Sequence, residues 1–261
     1  MSTSEAQLCE VFNSFQGEGL SVGERQTFIR FSGCNLSCQY CDSAEALAPS
    51  PEFKVEVNPG KKNFEKFKNP ATISQLIEIV KAFGADYPVS LTGGEPLLQV
   101  DFLKSFLPEL RKVGWAPPEN EILGSSHPYI YLETNGTLPD HLSEVIELVD
   151  VVAMDIKLPS ATGLSDYYKE HRKSLEIAYM KNVFVKIVFT KESKVKEFDE
   201  AVRIIADVDE KIPLVLQPVS PHGSIKHRPG VEQIFSFHNV AKRKLQNVKV
   251  IPQAHKVLGL T

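Results

Sequence analysis

Scarcities in this chain narrow its class before any motif is read. Its 261 residues include only 4 Cys, 3 Met and 1 Trp. So few cysteines in so long a chain cannot build the dense disulfide framework of a small secreted domain. No stretch comes near the roughly 20 consecutive apolar residues of a membrane-spanning helix. Residues 1–10 are polar and lack the apolar run of a secretory signal, so a cytoplasmic location is expected, with no membrane partner. Basic charge is not in excess either. Lys and Arg total 29 against 33 Asp and Glu, a net charge of −4, which speaks against a general nucleic-acid binder. A composition that is 42% hydrophobic and 24% charged excludes disorder, and the length admits one large core.

Short β-branched or aromatic runs stand at 27–31, 89–91, 130–132, 151–154, 183–189, 214–216 and 248–251, with amphipathic stretches between most of them. After Thr72, a residue suited to capping a helix, Ile73, Leu76, Ile77, Val80 and Phe83 recur on one helical face. Phe102, Phe106 and Leu110 do so further on, as do Leu142, Val145 and Val149, and Val195, Phe198, Val202 and Ile205. Strands alternating with helices predict an α/β chain with a mainly parallel sheet. Six or seven units suit a partial (β/α)6-type, TIM-like barrel, with a doubly wound sheet as the alternative. One domain over residues 1–261 is expected, interrupted by two loops. Residues 44–71 read as an irregular insertion bearing Pro49, Pro51, Pro59 and a lysine group, Lys61, Lys62, Lys66 and Lys68. Residues 115–129 read as a second loop.

Three of the four cysteines crowd into eight residues as Cys34, Cys38 and Cys41, directly after the first of these runs. Clustered soft thiolates select zinc or an iron–sulfur cluster. A closed structural zinc wants four ligands, and no histidine lies near this loop. Cys9 could supply the fourth only by folding back. Three thiolates on a four-iron cluster leave one iron open to the amino and carboxylate groups of a small ligand.

The C-x3-C-x2-C spacing resembles that of the radical S-adenosylmethionine superfamily. The resemblance implies a [4Fe–4S] cluster that passes an electron into the sulfonium of S-adenosylmethionine, releasing a 5′-deoxyadenosyl radical. The unusual polar strings lie at strand ends, where parallel α/β barrels place their active sites. Thr92, Gly93, Gly94 and Glu95 follow the second strand. The glycines permit close backbone approach to a ligand, and Glu95 can accept from an ammonium group. The string resembles the superfamily's glycine–glycine–glutamate motif for the methionine amino group. Glu133, Thr134 and Asn135 follow the third strand, Lys157 and Ser160 the fourth, and Gln217 the sixth. By resemblance these line the ribose, carboxylate and adenine of the cofactor. Each string taken alone also fits turn or capping chemistry.

The substrate class is narrowed by residues 10–19, which hold Phe15, Gln16, Gly17 and Glu18, and by the tail from Gln253. Residues 16–19 alone read as a flexible turn. In this setting the chain resembles the 7-carboxy-7-deazaguanine synthase family from residue 10 to residue 260. Members convert 6-carboxy-5,6,7,8-tetrahydropterin to 7-carboxy-7-deazaguanine with loss of ammonia, regenerating S-adenosylmethionine and assisted by Mg2+. The resemblance implies that Phe15, Gln16, Gly17, Arg30 and Thr92 touch the pterin, with His255 and Thr261 on a tail folded over it. Ser43 stands at the Mg2+-ligand position, its other reading being a helix cap. A homodimer and a flavodoxin- or ferredoxin-type electron donor are further implications. Tyr40 departs from the tryptophan many relatives carry. The rival readings are an activase for glycyl-radical enzymes and a zinc-stabilised binding module.

Overall fold

The computed structural model describes residues 4–84, 87–113 and 129–260. Within them the predicted strands all form. A short β1 (Glu5–Ala6) precedes β2 (Leu8–Phe15) and β3 (Arg25–Phe31). Then come β4 (Glu52–Glu56), β5 (Phe64–Lys68), β6 (Ala71–Thr72) and α1 (Ile73–Ala82). The remainder alternates as β7 (Val89–Gly93), α2 (Val100–Arg111), β8 (Ile130–Thr134), α3 (Pro139–Val145) and β9 (Val151–Asp155). It continues through α4 (Pro159–Thr162), α5 (Tyr168–Ala178), β10 (Asn182–Phe189), α6 (Val195–Val208), β11 (Leu214–Pro218), α7 (Val231–Lys242), β12 (Val248–Val250) and α8 (Ala254–Leu258).

Ten strands form one sheet in the order β12-β11-β10-β9-β8-β7-β3-β2-β4-β5. From β12 to β3 every neighbouring pair is parallel. Each of the six crossovers between those seven strands contains a helix, and the two end strands do not pair, so the barrel is partial. Burial explains the helices. Thr72 Oγ1 accepts from the Gln75 N–H at 3.3 Å to start α1, which buries Leu76 and Val80. Helix α6 buries Phe198, Ala201, Val202 and Ile205 on one face.

Two sequence expectations are corrected. Residues 44–71 are not irregular: β4 and β5 form an antiparallel hairpin that joins the sheet edge through β2. Phe53 and Phe67 stack at 5.6 Å on it, and Phe53 is fully buried. The lysines disguised this strand pattern: exposed Lys54, Lys66 and Lys68 alternate with Phe53 and Phe67, which face the core. Strand β2 was also missed. It pairs antiparallel with β3, and Cys9 falls where the register shifts between Leu8 and Glu10. Most of the expected 115–129 loop lies outside the described residues.

The sheet sorts its side chains with period two. Ile29 and Phe31, Val89 and Leu91, Ile130 and Leu132, Val152 and Met154, and Leu214 and Leu216 belong to the main core under the helices. Residues of the opposite parity on these strands and on β10, where Val185 and Ile187 join the core, face the other way. Among them Arg30, Thr92, Glu133, Asp155, Lys186 and Gln217 line one cavity.

Candidate active site

The cysteine loop begins where β3 ends. Gly33 N–H donates to the Ala46 carbonyl at 2.8 Å, and Cys41 N–H to that of Cys38 at 3.0 Å, which folds the loop back on itself. Behind it, Gly94 N–H donates to the Phe31 carbonyl and Glu95 N–H to that of Gly33, at 3.0 and 2.8 Å. A Cβ on Gly94 would lie 2.1 Å from the Gly33 oxygen, so only glycine lets these strand ends meet. Gly93 adopts φ 129, a backbone conformation closed to side chains for the same economy of space.

Cys34, Cys38 and Cys41 all line a cavity of about 470 Å³, a size suited to a small organic ligand. Cys9 does not line it, and burial pushes its thiol up to about 11. Cys9 is therefore not gathered with the other three thiols at the cavity. Among the described residues, the group of three potential ligands whose donor atoms lie within 4.8 Å of one another is Glu18, Asp42 and His255. The three thiols stand farther apart. A single zinc with Zn–S bonds of about 2.3 Å would draw them closer, whereas a multi-iron cluster needs the wider triangle.

Around the thiols the cavity wall carries Gly93, Gly94, Thr134 and Asn135 from the ends of β7 and β8. Asn135 Nδ2 reaches Cys34 Sγ at 4.0 Å and Asn35 Oδ1 at 2.9 Å. Lys157 lies over the Tyr40 ring at 5.5 Å and bonds Asp155 at 2.6 Å. Burial would lower the Lys157 pKa, but Asp155 holds it well above the usual value. Gln217 is 1% exposed and its Oε1 has no partner, an acceptor facing the cavity.

The cavity wall also holds Phe15, Gln16, Gly17, Arg30, Ser43, Thr92, Glu133 and His255. Glu133 organises part of it: its oxygens accept from Gln16 Nε2 at 2.9 Å and Thr92 Oγ1 at 3.0 Å. Arg30 Nε bonds Glu10 at 2.8 Å while its Nη1 donates to Ser43 Oγ at 3.2 Å. Ser43 makes no side-chain cap to the short 3-10 turn it precedes. The tail closes over this wall. Ala254 N–H donates to the Gly17 carbonyl at 2.8 Å, and Gln253 Nε2 reaches both Glu18 and Asp42, at 2.8 and 2.9 Å. Lys256 pairs with Asp42 at 2.7 Å, and although burial works the other way, that pairing brings the Asp42 carboxyl down to about 2.

Two of the expected site residues do not reach the cavity. Glu95 is fully buried behind the glycines, its carboxylate accepting from Leu97, Thr134 and Asn135. Burial pushes that carboxyl up to about 7. Ser160 turns away, donating from N–H and hydroxyl to Glu197 at 2.8 and 2.5 Å. Thr261 lies outside the described residues. Conversely, Lys186 belongs to no motif, yet it lines the cavity and is bonded to Glu18, with Asp155 at 3.6 Å. Burial opposes its charge, but these carboxylates raise its pKa above the usual lysine range. A lysine inside an otherwise apolar strand was the available signal.

Residues 28–209 match the model of the radical SAM superfamily. A 7-carboxy-7-deazaguanine synthase of Geobacter sulfurreducens is 40% identical over 264 residues, covering 99% of both chains. Another, of Thermococcus kodakarensis, is 33% identical over 269 residues, covering 97% of this chain and 98% of its own. The chain belongs to the 7-carboxy-7-deazaguanine synthase family. The crystal structure of QueE from Escherichia coli shares the fold, with a TM-score of 0.57 and 16% identity over 94% of this chain and 93% of that one. Membership makes the chain a radical SAM enzyme, whose superfamily uses a [4Fe–4S] cluster and S-adenosylmethionine. The residues present fit both groups: three spaced thiols, glycines without obstructing Cβ atoms, and the unpartnered Gln217 oxygen. Neither rival reading is favoured by these relatives. No helix among the described residues is long and apolar enough to cross a membrane.

Proposed function

We propose that this enzyme converts 6-carboxy-5,6,7,8-tetrahydropterin to 7-carboxy-7-deazaguanine, with loss of ammonia. The observation that carries the reading is a single cavity lined both by the cysteine triad and by Arg30 and the Gln16, Thr92 and Glu133 network. Cys34, Cys38 and Cys41 would hold the cluster, which supplies one electron to the sulfonium of S-adenosylmethionine. Gly94, Thr134, Asn135, Lys157 and Gln217 would hold that cofactor against it.

The protein's own part is binding and orientation. Gln16, fixed through Glu133, offers an amide to the pterin edge. Arg30, steadied by Glu10, presents a guanidinium toward the substrate carboxylate. Ser43 and its neighbour Asp42 are hard oxygen donors, the chemistry that suits Mg2+, which would neutralise part of that carboxylate's charge. His255 and Gln253 cover the substrate and exclude water. A homodimer and an acidic electron-donor protein complete the reading.

The test is an anaerobic assay on reconstituted enzyme with S-adenosylmethionine, dithionite, Mg2+ and the tetrahydropterin, products being read by mass spectrometry. The expected result is 7-carboxy-7-deazaguanine with little net loss of S-adenosylmethionine. Release of 5′-deoxyadenosine without that product would overturn the pterin assignment.

A further inference from the structure

The chain as a whole is acidic, yet its sequence holds no Asp or Glu between Glu210 and Glu232. The exposed part of this interval is the loop joining β11 to α7, and it carries His222, Lys226, His227 and Arg228. The loop is a built turn. His222 and Ile225 exchange backbone hydrogen bonds of 3.0 and 2.9 Å, and Gly223 supplies the left-handed φ of 53. It rests on the cysteine loop itself: Ser224 Oγ donates to the Gln39 carbonyl at 3.2 Å. Gln39 directly follows Cys38.

None of the four basic residues makes an ion pair among the described residues, and Lys226 Nζ bonds only the Gly223 carbonyl, at 2.7 Å. The lysine group of the β4–β5 hairpin is interleaved with carboxylates. On the β4–β5 hairpin, Lys66 pairs with Glu52, Lys62 bonds the Gly259 carbonyl, and Glu56 and Glu65 interleave. Unneutralised charge of one sign, gathered on a small surface, steers an oppositely charged partner and orients its docking.

We infer that the 222–228 loop is the docking surface for an acidic one-electron carrier protein, which reduces the cluster through the Gln39–Cys38 segment. The inference rests on the proposed function, because only a cluster that is reduced needs such a partner. The balance is simple: the carrier's reduced flavin or iron centre loses one electron, the cluster gains it, and no bond is made or broken. Position and charge agree on this occupant. The basic loop touches the cysteine loop, and small acidic carriers approach a basic surface at rates set by electrostatics.

The test uses reconstituted enzyme and its K226E/R228E double variant, with a reduced, acidic flavodoxin as probe. Two readouts are taken: binding of labelled oxidised flavodoxin by fluorescence anisotropy at low and moderate salt, and turnover supported by flavodoxin or by dithionite. The double variant is expected to bind the flavodoxin roughly tenfold more weakly and to lose most of the salt dependence. Flavodoxin-supported turnover falls in proportion, while dithionite-supported turnover is unchanged. The neutral K226Q/R228Q variant is expected to fall between. Unaltered binding in the charge-reversed enzyme overturns the inference, as does weakening that appears instead in a K61E/K62E hairpin variant. Absence of the deazaguanine product with dithionite in the unsubstituted enzyme would count against the proposed function, while the binding comparison would still decide the docking surface.

Discussion

Glu95 Oε2 accepts the backbone N–H of Asn135 at 2.7 Å while its Oε1 accepts the Thr134 hydroxyl at 3.0 Å. The carboxylate therefore ties the end of β7 to the end of β8, and both ends line the cavity. Burial nevertheless raises its pKa from 4.5 to about 7. Between those values the unfolded chain releases a proton that the native state keeps, so this group makes stability fall as pH rises through the window. Glu95→Gln should abolish that slope. It also sets an amide donor against donors and should cost about 1–3 kcal/mol. Urea unfolding of the cluster-free protein across pH reads both effects.

His171 acts with the opposite sign. It is fully buried on α5, its Nε2 standing 3.2 Å from the Asn135 carbonyl and 3.4 Å from the Lys157 N–H. Burial lowers its pKa from 6.5 to about 4. Here the unfolded chain takes up the proton first, so the contribution is present above pH 6.5 and is lost as pH falls toward 4. The loss amounts to about 3 kcal/mol when complete. In the unsubstituted protein the Glu95 and His171 slopes oppose each other through the overlapping range. His171→Asn should expose the Glu95 slope alone, and a pH titration of the unfolding midpoint checks it.

The cysteines separate cleanly. Cys38→Ala should prevent cluster assembly, seen as loss of bound iron and of the brown absorbance after reconstitution. Cys9→Ser should retain both at the level of the unsubstituted protein, because Cys9 sits in β2 away from the cavity. Equal loss in the two variants would contradict the three-ligand reading.

Gly94→Ala should damage the site without removing a thiolate. Its Cβ would fall 2.1 Å from the Gly33 oxygen and 2.8 Å from that of Ala46, both backbone atoms that cannot swing aside. The cysteine loop has to shift, at a cost of about 1–3 kcal/mol. Reduced iron occupancy and a lower unfolding midpoint are the expected outcomes.

Gln253→Leu removes the amide that joins Glu18 to Asp42 and leaves the two half-buried carboxylates to Lys186 and Lys256 alone. The KM for the tetrahydropterin should rise by roughly tenfold, with bound iron unchanged. Steady-state kinetics beside an iron assay distinguishes a loosened cover from a lost cluster.

Much of this protein is local in origin and was readable as such. Strand runs and helical faces depend on periods of two and 3.6, which neighbouring residues express without help from the rest of the chain. The spacing of Cys34, Cys38 and Cys41 is equally local, since one loop must bring three thiolates to one centre. Other features depended on partners distant in sequence. Lys186 became a cavity residue because its parallel register sets it opposite Asp155 and because Glu18, 168 residues away, folds in beside it. Glu95 and Ser160 lie in strings that read as ligand-facing, yet they turned to Asn135 and Glu197, donors and acceptors that only the assembled sheet places within reach. Lysines on one face concealed the 52–68 hairpin until its pairing with β2 buried the other. Sequence by itself determined the seven parallel strands, most of the helical stretches between them and the loop that carries the thiolates, because those follow from short-range geometry. The tertiary structure alone decided which polar side chains face the cavity and which serve behind it, because strand register and crossover, not spacing along the chain, choose the neighbours of a buried charge.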